Sequence, residues 1–382
     1  MNTQTAAVGD NPPAEIRERP PASVYGPVAW MRANLFNGIF STIVTLVLGG
    51  LILWAAYGIV QWAFVNAVWS VPKTATGAPD PTTCRLNHGI GACWAAISDK
   101  WRFMLFGRYP YDQQWRAGLS IILFLGLFYV SADRRFWSKI LIPIWVVTLI
   151  AIFTLMWGGI LGLRYVPQDE WGGLPITLIL STFGLALAFP LAVFVALGRR
   201  STRLPAVKIL CVTYVELIRG VPLVALLFMA NVMLPLFLPE GINLDKLLRA
   251  QVAIILFAAA YLAEVVRGGL QALPKGQAEA ADALGLTYWQ KTFKITLPQA
   301  LRLVIPPLVN TFIGFFKDTS LVLTIGILDL LTSSKTAMSD PVWQGTSTEI
   351  YIVIAIIYFA FCYTMSSYSR GVERKLDAGR NR

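Results

Sequence analysis

The apolar residues of this chain are gathered into runs of about twenty, not spread at helical spacing. A run of that length has few solutions in lipid, where every backbone N–H and C=O must find a partner inside the protein. Such runs lie at about 39–65, 118–132, 140–162, 174–198, 221–238, 248–270, 298–331 and 350–368. Eight crossings define an all-α polytopic membrane protein. Composition agrees: of 382 residues 56% are hydrophobic and only 14% charged, where a soluble domain carries about 25% charged residues. The net charge of +11 does not call for nucleic acid, because membrane proteins concentrate Lys and Arg in cytoplasmic loops. One histidine and four cysteines leave little for metal chemistry. His88, in a polar loop, reads as an ordinary surface residue, and no metal site is expected.

Residues 1–36 are polar and contain Pro12, Pro13, Pro20 and Pro21, which reads as a flexible tail. The tail is too long and too acidic for a signal peptide, so the run at 39–65 is expected to remain as an anchor. Trp54, Trp62 and Trp69 give its far end an aromatic belt, and Trp137 marks a later interface. The run at 118–132 is the weakest, since 15 residues rise only about 22 Å. Residues 204–238 are too long for one span. Their first part, to Arg219, mixes Lys208, Glu216 and Arg219 with apolar residues at helical spacing and fits an interfacial amphipathic helix. Gly220 and Pro222 then break it, and 221–238 crosses. With the N-terminus inside, inner segments hold twenty-one Lys and Arg against ten outside. The expectation is therefore that both termini are cytoplasmic, with 66–117 a large outer loop.

The most informative stretch is Gly276–Pro298, GQAEAADALGLTYWQKTFKITLP. Ala278 to Leu284 are strong helix formers, with Glu279 at the positive dipole end. Gly285 suits the left-handed position that ends a helix. Thr287 and Gln290 form a T-x-x-Q capping box, opening a second helix to Ile295 that Pro298 stops. The two short helices form a cytoplasmic knob whose alanine surface suits close docking. Taken alone, a loop of this kind reads first as a plain linker between spans.

The spacing narrows that choice. Glu279-Ala280-Ala281, then Gly285, Ile295 and Leu297-Pro298 resembles the EAA signature of ABC-importer permeases at every position. The flanks VELIRGVPL (215–223), AYLAEVVRGG (260–269) and KDTSL (317–321) resemble the polar amino-acid uptake branch. The resemblance covers about 174–370 and implies a type I importer core made of the last five spans. Residues 37–173 add a three-span extension, a layout similar to the M subunit of the general L-amino acid ABC transporter family. Its role is either a scaffold for a partner or a docking surface for a binding protein. Residues 371–382 form a cytoplasmic tail.

The resemblance implies an amino-acid permease of the bacterial inner membrane. Glu279, Ala280, Ala281 and Gly285 would couple it to a cytoplasmic ATPase dimer. A second permease, favoured as a related chain, and a periplasmic amino-acid-binding protein would complete the assembly. The chain has no G-x-x-x-x-G-K-[ST] loop, so ATP and Mg belong on partner subunits and this chain is not an enzyme. Two rivals compete. An intramembrane Ser-His hydrolase needs a histidine at membrane depth, and there is none. A secondary amino-acid transporter or channel shares the spans but does not need the docking knob.

Two further expectations come from the residues. Cys84 and Cys93, both in the outer loop, are expected to form a disulfide, the alternative being two buried thiols. Cys211 and Cys362 should stay reduced. Residues 298–331 would make a helix of about 51 Å against a core of about 30 Å, so something breaks it. Pro306 and Pro307 can kink it, and Lys317-Asp318-Thr319-Ser320 interrupts it at depth. A half-helix starting near Thr319 would aim free N–H groups at a substrate carboxylate, with Asp318 meeting the ammonium. Met229, Ala259, Ala260 and Ala263 would leave room for a side chain. Asp318 alternatively caps the half-helix and pairs with Lys317 or Arg267. Glu264 and Arg267, at i and i+3, form an ion pair or gate.

Overall fold

A computed structural model describes residues 26–136, 138–239, 241–242 and 244–378. Most of the 1–36 tail, the belt residue Trp137 and the last four residues of the C-terminal tail lie outside the described residues. The chain divides into two compact units: residues up to Ala67 with Gly89–Gly91, and Val68–His88 with everything from Ala92 onward.

The first unit holds α1 (Pro27–Asn34) and α2 (Ile39–Val60), the latter prolonged by a π-turn over Gln61–Val65. Leu35 ends α1, and its carbonyl accepts from the hydroxyls of Ser41 and Thr45 in α2. The 27-residue apolar stretch Ile39–Val65 has exposed Ile, Leu and Val on all sides. Such a helix satisfies its own backbone and leaves its side chains to lipid or a partner.

In the second unit, α3 (Thr82–Leu86) and α4 (Trp94–Phe106) give structure to what reads in sequence as a long polar loop. Next, α5 (Gln114–Ala132), led in by a 3₁₀ turn at Tyr111–Gln113, forms a 22-residue apolar stretch. The sequence reading started this span at 118, too late. Gln114 and Arg116 are polar yet buried, and they belong to the helix because they have partners within the fold. Arg116 donates to the Leu155 and Arg164 carbonyls at 2.6 and 2.8 Å, and Arg102 donates to Gln114.

Helix α6 (Leu141–Trp157) has 17 residues and ends before 162, where Gly158, Gly159 and Gly162 take positive φ. Next come α7 (Gly173–Arg199), α8 (Pro205–Gly220), α9 (Leu223–Phe228), α10 (Leu234–Phe237) and α11 (Lys246–Ala272). The amphipathic α8 is bent by 103° from the α9–α10 segment, which carries a π-turn at Met229–Met233. The long helices α7 and α11 pack against each other over small residues. Ala188, Ala192 and Ala196 on one, and Ala253, Ala259, Ala260 and Ala263 on the other, are buried. Small side chains let two backbones approach closely where lipid supplies no hydrophobic drive.

The chain then forms α12 (Lys275–Ala283), α13 (Tyr288–Lys291), α14 (Leu297–Leu303), α15 (Ile305–Asp318), α16 (Leu330–Met338) and α17 (Ser347–Ala378). Among the described residues six helices are long and apolar enough to cross a membrane, or seven if the bent pair counts as one span. The eighth expected span corresponds to α6, whose 17 residues rise about 26 Å against a core of about 30 Å. Extended pairing among the described residues is confined to isolated bridges, two of which join Gly172 to Leu328 and Gly173 to Asp329.

These bridges sit where α4, α7 and α16 converge. Gly173 has φ 70°, and a Cβ there would lie 2.0 Å from the Leu105 carbonyl, so the crossing requires glycine. Asp329, fully buried, caps α16 by accepting from the N–H groups of Leu331 and Thr332 and from the Thr332 hydroxyl.

Candidate functional site

The knob is built largely as its sequence dictates. Helix α12 begins at Lys275, three residues before the expected Ala278, because Pro274 provides the extended residue that precedes it and Gly276 continues the helix. It ends at Gly285, φ 71°. There the N–H of Leu286 donates to Ala281 and that of Gly285 to Asp282, at 3.2 and 3.0 Å. This pairing is the Schellman closure that a left-handed residue permits. Thr287 and Gln290 cap α13 reciprocally. Lys291 grips Asp282 at 2.6 Å, tying the two short helices together.

Pro298 does not stop the second helix. A π-turn over Thr292–Thr296 precedes it, and the helical path runs through to Leu303. Proline lacks an N–H and crowds the carbonyl four residues back, and a wider turn relieves that crowding. Ala281 is buried, whereas Glu279, Ala280, Gly285 and Leu284 face outward, Leu284 being 79% exposed. Beside them Tyr288, Trp289 and Phe293 form an exposed aromatic row, with Trp289 and Phe293 stacked at 5.7 Å.

A second cluster surrounds Glu264. Arg267 pairs with it, as the i, i+3 spacing predicts. Arg199, at the end of α7, also reaches Glu264 at 2.7 Å and bridges to Glu216 on α8 at 2.8 Å, while Arg219 lies 3.8 Å away. Three helices therefore meet on one carboxylate. Arg199 was invisible to local spacing because it lies 65 residues away.

The Lys317–Ser320 segment differs from its expectation. The helix does break, at Val304 before Pro306 and Pro307, and again by tightening into a 3₁₀ stretch at Thr319–Ile325. No half-helix starts at Thr319, however. Its N–H is taken by Phe315 and Lys317, and the hydroxyls of Thr319 and Ser320 donate to Phe316 and Lys317. The free N–H groups expected for a carboxylate are thus consumed by a chain that stays helical. Asp318 makes no side-chain cap, and its half-buried carboxylate pairs with neither the exposed Lys317 nor Arg267 among the described residues. Ala259, Ala260 and Ala263 are wholly buried in the helix core. Met229 is 47% exposed on the π-turn.

Cys84 and Cys93 are bonded, while Cys211 and Cys362 are free. The bonded pair anchors a contact that the sequence did not disclose. Arg85 donates to the Pro341 carbonyl, the Cys93 N–H to Glu349, and Trp343 to Asp99. Lys100 bridges Asp99 and Asp340 at 3.2 and 2.7 Å. The Lys100 hydrogen bond holds the Asp340 carboxyl below its ordinary value. Burial works to lower the Lys100 ammonium, but the two carboxylates outweigh it and hold it raised. Among the described residues no three His, Cys, Asp or Glu are placed to hold a metal ion.

A chain of apolar helices that carries an exposed, doubly capped knob between two of them fits a membrane transport subunit. Residues 188–378 match the family described as binding-protein-dependent transport system inner membrane component, and the chain belongs to it. It is 46% identical over 360 residues to the inner membrane amino-acid ABC transporter permease protein YhdY of Escherichia coli K12, covering 92% of this chain and 94% of that one. It is 38% identical to the glutamate/glutamine/aspartate/asparagine transport system permease protein BztC of Rhodobacter capsulatus, covering 93% and 95%. A solved amino acid ABC transporter aligns over 53% of this chain and 92% of its own, at 32% identity and a TM-score of 0.47. The family places the chain among transporter subunits of the inner membrane, not among enzymes, and does not favour the secondary-transporter alternative.

Proposed function

We propose that this chain is one permease of an ATP-driven amino-acid importer, working with a second permease and a cytoplasmic ATPase dimer that holds ATP and Mg. The knob Lys275–Leu297 carries the reading. It is rigid within itself, through the Gly285 closure, the Thr287–Gln290 box and the Lys291–Asp282 pair. It also presents Glu279, Ala280 and Leu284 outward. A stiff projection transmits a push, whereas a slack loop absorbs it. The relatives named for amino-acid transport supply the substrate class. The favoured topology has both termini and the knob in the cytoplasm and 66–117 outside, where a periplasmic amino-acid-binding protein would deliver its cargo. Asp318, with no ion pair among the described residues, is proposed as a polar residue of the substrate pathway.

The experiment is co-expression of this chain with candidate ATPase, companion permease and binding protein, followed by uptake of labelled amino acids into proteoliposomes. ATP-dependent uptake supports the reading, and uptake driven by an ion gradient without ATP refutes it.

A further inference from the structure

The first turn of α11 carries an arginine, Arg249, that has no ion pair among the described residues. Arg249 stands at the end of the apolar stretch Lys246–Ala272 and is half-buried.

Its neighbour explains how it is held. Asn231 sits in the π-turn Met229–Met233, and Pro235, four residues on, has no N–H to offer the Asn231 carbonyl. Arg249 Nη1 takes that carbonyl, at 2.5 Å. This leaves Arg249 Nε and Asn231 Oδ1 both buried and both without a partner. A buried orphan donor and a buried orphan acceptor, on two residues already joined, are each unfavourable. A π-turn at such a place is a frequent mark of function.

We propose that Arg249 and Asn231 form a reception site for the backbone end of the amino-acid substrate. The guanidinium takes the α-carboxylate through Nε, in the fork geometry that suits arginine, and Asn231 Oδ1 accepts from the ammonium. One zwitterion satisfies both orphans, which neither an anion nor a cation does alone. The site supplies the carboxylate anchor that the Thr319 N–H, already bonded within its helix, does not provide. The inference rests on the importer reading.

The test uses the complete complex in proteoliposomes, with a mixture of carbon-14 L-amino acids as the probe. Asn231→Asp places a carboxylate beside Arg249, so that the protein supplies its own competitor while the charge gains a partner. The expected result is an assembled complex, with a raised melting temperature, whose half-saturating concentration rises at least about tenfold, equal to about 1.4 kcal/mol. Arg249→Gln should raise it similarly, and Arg249→Lys should recover part of the loss. Asn231→Asp with wild-type half-saturation overturns the site and leaves the importer reading standing. So does failure of both Arg249 variants to assemble while Asn231→Asp transports normally, since the arginine is then structural. Wild-type complex that shows no ATP-dependent uptake overturns the importer reading, and the site with it.

Discussion

Replacing Gly285 by alanine isolates one backbone angle. A Cβ built at this position meets no atom within 4 Å, so the substitution introduces no clash. What it adds is the cost of holding an L-residue at φ 71°, about 1–2 kcal/mol. That is a factor of about 5–30 in the population of the closed turn. If the turn opens, Leu286 and Gly285 lose their hydrogen bonds to Ala281 and Asp282, and the direction of α13 relative to α12 is no longer fixed. Asparagine visits this region more readily than alanine and should retain more of the turn. Gly276→Ala is the control, because Gly276 lies inside α12 with equally open surroundings and alanine favours a helix. With equal amounts of each permease in proteoliposomes, ATP-coupled uptake should rank Gly276→Ala equal to wild type, then Gly285→Asn, then Gly285→Ala. Gly285→Asp, bulkier and charged, should uncouple most. Uncoupled ATP turnover should persist in all. Wild-type coupling in Gly285→Ala would refute the claim that the stiffness of the knob matters.

Three further outcomes follow from particular contacts. Asp329→Ala strands the buried N–H groups of Leu331 and Thr332 and should destabilise the protein by about 2–4 kcal/mol. Asp329→Asn keeps a capping oxygen and should cost far less, so equal melting temperatures for the two would contradict the capping role. Removing the Cys84–Cys93 bond by a double serine substitution should lower stability by up to about 3 kcal/mol; an unchanged melting temperature under reducing conditions counts against it. Asp340 has a depressed carboxyl, so its contribution is full above the ordinary value of about 3.9 and is lost as pH falls through the lower folded value. Asp340→Asn should therefore flatten the acid limb of a stability–pH curve, and an unaltered limb would remove Lys100–Asp340 from the account.

Legibility in the sequence tracked locality. The Thr287–Gln290 box, the Gly285 turn, the Glu264–Arg267 pair and the Cys84–Cys93 bond each involve residues within ten positions, where backbone geometry alone brings groups together. What escaped depends on distant partners. Gln114 and Arg116 read as loop because their polarity is offset by Arg102 and by carbonyls at Leu155 and Arg164. Arg199 joins Glu264 only through the packing of α7 on α11. Pro298 and Asp318 misled for another reason. Proline and a charged cluster are ordinary helix breakers, but a π-turn and a 3₁₀ stretch let this chain stay helical through both. Asn231 and Arg249 are legible only in part: Pro235 frees a carbonyl and an arginine stands at the start of an apolar run, but their meeting across 18 residues needs the fold.

The most direct test of the account is whether this chain, reconstituted with its ATPase and companion permease, moves labelled amino acids inward on ATP alone. The account predicts uptake that requires hydrolysable ATP, persists when ion gradients are collapsed, and disappears when the knob is uncoupled by Gly285→Asp. Uptake that survives without ATP but stops when an ion gradient is collapsed would contradict it.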